Sequence, residues 1–140
     1  MTEPVVLDTN LLQTITIVEE VTQARIDKCI PKEDKLVFVV EQGGARKIVG
    51  PEGKMLKQLE SKLGKRLKVI EKTPEKFQFI KNAFLPLRIS EIKEEDGIVS
   101  IHGEDEKTRG LMIGAKAHNL RFLEKIVQMY FPDVKEIKVY

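Results

Sequence analysis

Residues 46–60 read Arg46-Lys47-Ile48-Val49-Gly50-Pro51-Glu52-Gly53-Lys54-Met55-Leu56-Lys57-Gln58-Leu59-Glu60. The stretch predicts a short helix closing on an apolar pair, a turn bracketed by Gly50 and Gly53, and a second helix. Leu56, Leu59 and Leu63 line one face of that helix, and Lys54, Lys57 and Lys62 lie elsewhere. A helix start carries unpaired N–H groups and the positive end of the helix dipole, so it favours an anion such as a phosphate. Lys47, Lys54 and Lys57 surround the turn and add charge of the matching sign.

The composition sharpens this. The 140 residues are 41% hydrophobic and 33% charged, with a net charge of only +2, so bulk charge says little about a partner. Its distribution says more. Residues 1–42 hold four Lys/Arg against eight Asp/Glu, residues 43–68 hold eight against two, and residues 107–125 hold five against one. Both positive segments surround glycine turns, the footprint of a polyanion surface. The single cysteine, Cys29, excludes an internal disulfide and a cysteine-rich zinc site, and reads as a half-buried strand residue. Met1-Thr2-Glu3-Pro4 opens no signal peptide, and no run approaches the roughly 20 apolar residues of a membrane span. A soluble, cytoplasmic protein is expected.

Taken in order, Asp8-Thr9-Asn10 offers helix caps before Leu11, Leu12, Ile15, Val18 and Val21, although Thr14 to Ile17 alternates equally well as strand. Ala24 to Ile30 alternates as a strand, and Pro31-Lys32-Glu33-Asp34 reads as a turn. Lys35 to Glu41 is the clearest strand, apolar enough for burial on both faces. After the opening stretch, Gly64 stops a helix and Leu67 and Val69 belong to a strand ending near Glu71. Thr73-Pro74 predicts a new helix start, with Phe77, Ile80 and Phe84 on one face and Pro86 as its end. Leu87 to Ile92 and Ile98 to His102 form strands about an Asp96-Gly97 hairpin turn. Glu104-Asp105-Glu106 starts a helix reaching Ile113, then Gly114-Ala115-Lys116-Ala117 turns into a long helix carrying Leu120, Leu123, Val127 and Tyr130. Phe131-Pro132-Asp133 turns, and Glu136 to Tyr140 closes as a strand.

Both halves thus read helix, strand, strand, short helix, glycine turn, helix, strand. A shift of 64 residues lays Val49-Gly50 on Ile113-Gly114, Leu56 on Leu120, Leu59 on Leu123 and Glu60 on Glu124. An internal duplication is the natural reading, with domains at 1–72 and 73–140 and almost no linker.

Several enzymatic readings fail. A nucleotide-binding P-loop needs a glycine where Ile48 stands and a hydroxyl where Met55 stands. A dinucleotide fingerprint needs three spaced glycines after a first strand, which neither turn supplies. His102 and His118 sit in different elements without a metal-site pattern, and the acids at 94–96 and 104–106 suit a turn and a helix start. No catalytic constellation, metal or cofactor is expected, and the chain is not read as an enzyme.

Ile48-Val49-Gly50-Pro51-Glu52-Gly53-Lys54, followed by the Leu56/Leu59 helix, resembles the KH domain in its bacterial-type (type II) order. The resemblance implies an α+β fold of two tandem type II KH domains, each a three-stranded mixed sheet with helices packed on one face. It implies a loop that clamps the backbone of about four unpaired nucleotides. The N–H groups of Glu52, Gly53 and Lys54 would face a phosphate, and Arg46, Lys47, Lys54 and Lys57 would add charge. Ile48, Val49, Leu56, Leu67 and Val69 would line a base groove, with Lys65, Arg66 and Lys68 at its entrance.

The second copy departs from the pattern: Ala117 replaces the second glycine, at a position that a helix start tolerates. Arg109, Ile113, Gly114, Ala115, Lys116 and Ala117 form its counterpart site, with Asn119 and Arg121 placed for a polar contact. In the first copy Glu52 puts a negative charge at the tip.

The abutting units and the Ile113-Gly114-Ala115-Lys116-Ala117-His118-Asn119-Leu120-Arg121 run resemble the archaeal NusA-like family over nearly the whole chain. That implies binding of single-stranded RNA, the nascent transcript, in transcription termination or antitermination. RNA polymerase or other transcription factors are the candidate protein partners, though the resemblance does not carry over a direct polymerase contact; no membrane partner and a monomeric state are expected. A KH protein acting on ribosomal or other structured RNA is the alternative. A protein-binding scaffold with vestigial loops is a further one.

Overall fold

The computed structural model describes residues 9–140, which divide into two compact units between Thr73 and Pro74. Asp8, expected as a helix cap, lies outside the described residues. The fold is α+β: each unit holds one mixed three-stranded sheet with helices.

In the first unit, α1 (Thr9–Thr22) settles the helix-or-strand ambiguity of Thr14 to Ile17 in favour of helix. Leu11, Ile15, Val18 and Thr22 recur at three- and four-residue spacing and turn inward. Leu12 and Val21, expected on that stripe, are 52% and 46% exposed, which corrects its position. β1 (Ile26–Lys32) runs through Pro31, so the turn contains only Glu33 and Asp34. Pro31 offers no N–H, which an edge strand tolerates, and β1 is the edge of the order β1-β2-β3.

β2 (Lys35–Val40) is the centre, antiparallel to β1 and parallel to β3 (Arg66–Glu71). Leu36, Phe38 and Val40 pack with Cys29, Val18, Ile48 and Leu59 on the helix side. Val37 and Val39 alternate to the other face and are also fully buried, so both faces of β2 are covered. Cys29 is buried rather than half-buried. Between β2 and β3 lie α2 (Gly44–Val49), a 3-10 turn (Pro51–Gly53) and α3 (Lys54–Leu63), which Gly64 ends in the left-handed conformation.

In the second unit, α4 (Lys76–Phe84) begins two residues beyond Pro74, because Glu75 holds an extended backbone as its cap. Phe79, Ile80, Ala83 and Phe84 are its buried face, and Phe77, expected there, is 36% exposed. Phe79 instead anchors the helix, packing its ring 5.1 Å from Tyr130 and 5.6 Å from Phe131. β4 (Ile89–Glu95) starts later than expected, since Leu87 turns back to donate to the Phe84 carbonyl at 2.9 Å. Asp96 and Gly97 carry φ of 54° and 83° in the hairpin to β5 (Ile98–Gly103).

Asp105 caps α5 (Glu106–Ile113) by accepting from the Thr108 N–H at 2.7 Å, a bond that holds its carboxyl below the usual range. A second 3-10 turn (Ala115–Ala117) leads into α6 (His118–Tyr130), and β6 (Glu136–Val139) pairs parallel with β5 in the order β4-β5-β6. Lys76 bridges Asp133 and Glu94, and those two carboxylates raise its pKa.

Candidate nucleic-acid interface

The two glycine turns share one backbone path. Gly50 ends α2, donating its N–H to the Arg46 carbonyl at 2.9 Å, with φ 73° and ψ 177°. Gly114 ends α5 in the same way, donating to Gly110 at 2.9 Å, with φ 75° and ψ 174°. Glu52 and Lys116 follow at φ 56° and 52°, then Gly53 and Ala117 at φ 73° and 60°. The first glycine is obligatory for two reasons. Its φ/ψ pair is open essentially to glycine alone. A Cβ at Gly50 would also lie 2.7 Å from the Met55 Cβ, and one at Gly114 would lie 2.9 Å from the Asn119 Cβ. At Gly53 a Cβ would meet nothing within 4 Å, so only the left-handed backbone resists a side chain there.

This geometry corrects two expectations. Ala117 does not occupy an ordinary helical position: it is the left-handed cap of α6, where alanine costs about 1 kcal/mol or more relative to glycine. Nor are the loop N–H groups all open to a phosphate. Gly53 donates to the Gly50 carbonyl at 3.2 Å and Lys54 to the Pro51 carbonyl. Ala117 and His118 repeat those bonds to Gly114 and Ala115. The dipole end, the exposed cations and, at Gly53, a main chain without a Cβ still attract an anion.

The expected side chains divide. Arg46, Lys47, Pro51, Glu52, Lys54 and Lys57 are exposed around the first turn, with Lys47 Nζ donating to the Gln23 carbonyl at 3.3 Å. Lys54 lies 3.7 Å from Glu52, and each is about three-quarters exposed or more, so water weakens the pair to a few tenths of a kcal/mol. Val49, Leu56 and Val69 are half-buried and available to a groove. Ile48 is fully buried and Leu67 is 8% exposed, so both belong to the core.

Lys65 is exposed beside a cleft that Asp34, Glu60 and Arg66 also line. Arg66 and Lys68 alternate with Leu67 and Val69 and therefore point to the sheet face opposite the glycine turn. Burial, and then the charge of Lys35, lower the Lys68 ammonium to about 8.

Around the second turn, Ala115 and Lys116 are exposed and Ile113 is half-buried. Arg109 pairs with Glu106 at 3.6 Å. Asn119 and Arg121, expected to reach RNA, are engaged internally. The Asn119 amide donates to the carbonyls of Met112 at 2.9 Å and Leu111 at 3.3 Å, closing the end of α5 against α6. Arg121 donates to Glu124 at 2.6 Å and lies 3.7 Å from Glu136.

One repeated pair escaped the sequence reading. Glu60 accepts from the Leu67 N–H of β3 at 2.9 Å, and Glu124 accepts from the Ile137 N–H of β6 at 2.7 Å. Each carboxylate ties the helix after a glycine turn to the parallel strand that follows it. The signal was present, since an acid recurred at the same place in the 64-residue shift on an otherwise apolar helix face. Among the described residues no group of three His, Cys, Asp or Glu comes together to hold a metal, and no helix is long and apolar enough to cross a membrane.

Comparison with known proteins agrees with this geometry. Among curated proteins, the chain is similar to the probable transcription termination protein NusA of Halobacterium salinarum, 27% identical over 91% of this chain and 92% of that one. The protein of the same name from Methanococcus vannielii is 29% identical over 95% of this chain and 78% of its own. That from Thermoplasma acidophilum is 24% identical over 96% and 95%. Among solved structures, the crystal structure of APE1850 superposes with a TM-score of 0.67 at 26% identity, covering 92% of this chain and 96% of the other. The family profile described as KH domain matches residues 14–102, from within α1 to within β5, and includes the Gly50 turn. This chain belongs to the KH domain family.

Proposed function

We propose that the protein binds single-stranded RNA, the nascent transcript, in transcription termination or antitermination. In this reading each unit, 1–72 and 73–140, is a type II KH domain whose turn holds the RNA backbone. The observation that carries it is the repeated turn: two stretches 64 residues apart share φ/ψ at three matched positions, Gly50/Gly114, Glu52/Lys116 and Gly53/Ala117, although the last two differ in residue. Exposed Arg46, Lys47, Lys54, Lys57 and Lys116 supply charge there, and Val49, Leu56 and Val69 offer an apolar floor for bases. The names of the archaeal relatives support a place in transcription. RNA polymerase or other transcription factors are the protein partners this implies, for a monomer in the cytoplasm.

The test replaces Pro51, Glu52, Ala115 and Lys116 together by Asp. Binding of a labelled unstructured RNA, read by fluorescence anisotropy, is expected to disappear while the circular dichroism spectrum is kept. Unchanged affinity would sink the turn assignment. Sequencing of RNA crosslinked to the protein in cells separates transcripts from ribosomal RNA.

A further inference from the structure

At the hairpin end of the first sheet, three cations share one rung. Lys32 of β1 pairs with Lys35 of β2, and Lys35 pairs with Arg66 of β3. Neighbouring strands lie about 4.8 Å apart, and directly opposite residues leave the same face, so the three side chains lie side by side at the end of the face that Val37 and Val39 bury, Arg66 exposed and Lys32 and Lys35 half-buried. Lys68, two residues beyond Arg66 on β3, shares that face. Like charges directly opposite one another repel, and the positive charge of Lys35 contributes to lowering both Lys32 and Lys68, after burial. Glu33 and Asp34 form the hairpin tip. At Lys32 the lowering comes first from burial, and the Glu33 carboxylate outweighs the charge of Lys35 there; the Asp34 backbone carbonyl accepts from the Arg66 N–H at 3.2 Å.

The fold does not require such a row. The equivalent rung of the second sheet reads Glu95, Ile98 and Glu136. A line of like charges fixed by a backbone ladder is relieved by a line of opposite charges, and a nucleic-acid backbone is a regular chain of them. An acidic protein segment would present its charges less regularly.

We infer that the Lys32–Lys35–Arg66 row is a second RNA-backbone contact, engaging phosphates beyond the few nucleotides that a glycine turn holds. The inference rests on the RNA reading proposed above.

The test compares the full chain with its Lys32→Gln/Lys35→Gln/Arg66→Gln variant, after matching their thermal melts. Two unstructured RNAs are used, one of about 4 nucleotides, the length a KH loop clamps, and one of about 16. The variant should bind the long RNA at least about 10-fold more weakly near 0.1 M salt, with a slope of log affinity against log salt shallower by about 2. Its affinity for the short RNA should be unchanged. Equal affinity of the two proteins for the long RNA would overturn the inference. So would loss of poly-glutamate binding with RNA binding intact, which would assign the row to an acidic protein segment. The quadruple aspartate variant keeps the two readings apart: it loses both RNA lengths if the turns hold RNA, and the length comparison decides the row in either case.

Discussion

The Gly50 turn and the Gly114 turn follow the same path with different residues. Gly50-Pro51-Glu52-Gly53 uses two glycines, whereas Gly114-Ala115-Lys116-Ala117 uses one. The difference separates two roles that a glycine-bracketed loop confounds. The first glycine is fixed by crowding against the helix that follows, Met55 in one copy and Asn119 in the other. The second faces open space and is replaceable at a modest conformational cost. The tips differ in charge as well, Glu52 against Lys116, so the copies share a scaffold but not its electrostatics.

Three pairs of substitutions would break or sharpen this pairing. The largest effect is expected for Gly50→Ala and Gly114→Ala, each combining a steric overlap with a backbone region closed to alanine. Either should lower the unfolding free energy by about 3 kcal/mol, read from urea titrations. A small loss in only one copy would show that the two turns are not equivalent. Next come the carboxylates that tie helix to strand. Glu124 is 8% exposed and also holds Arg121, so Glu124→Ala should cost about 2–3 kcal/mol, and the half-buried Glu60→Ala about 1 kcal/mol. Reversal of that order would mean that the helix-to-strand tie is no stronger in the second unit.

The smallest effect concerns the second glycine position, where the substitutions run in opposite directions. Ala117→Gly should raise the melting temperature, by the equivalent of about 1 kcal/mol. Gly53→Ala should lower it by a similar amount. A stabilising Gly53→Ala would contradict the left-handed assignment at that residue.

Element order and both turns were legible because each depends on local pattern, whereas the composition of the sheets came from the KH resemblance. The Lys35–Val40 run is continuously apolar, Asp96-Gly97 marks a hairpin, and glycines mark the helix ends. Facing was less legible. Phe77 and Phe79 compete for one helix face, and only the ring contacts with Tyr130 and Phe131 choose Phe79. The groove had the same difficulty: Ile48 and Val49 are adjacent apolar residues, yet only Val49 keeps any exposure. Register decided the basic residues of β3, since a strand alternates Lys68 away from Leu67 and Val69. Asn119 and Arg121 looked free because helix-end carbonyls and a buried acid on the same helix carry no mark in one sequence.

The Glu60 carboxylate has a mechanical consequence. α3 begins at the turn, and Glu60, one turn before its end, grips the first residues of β3. Parallel pairing then joins β3 to β2 over the whole length of both strands. Tension on a polymer held at the turn would pass along the helix axis into that ladder. It would load many backbone bonds at once in shear instead of peeling them one by one.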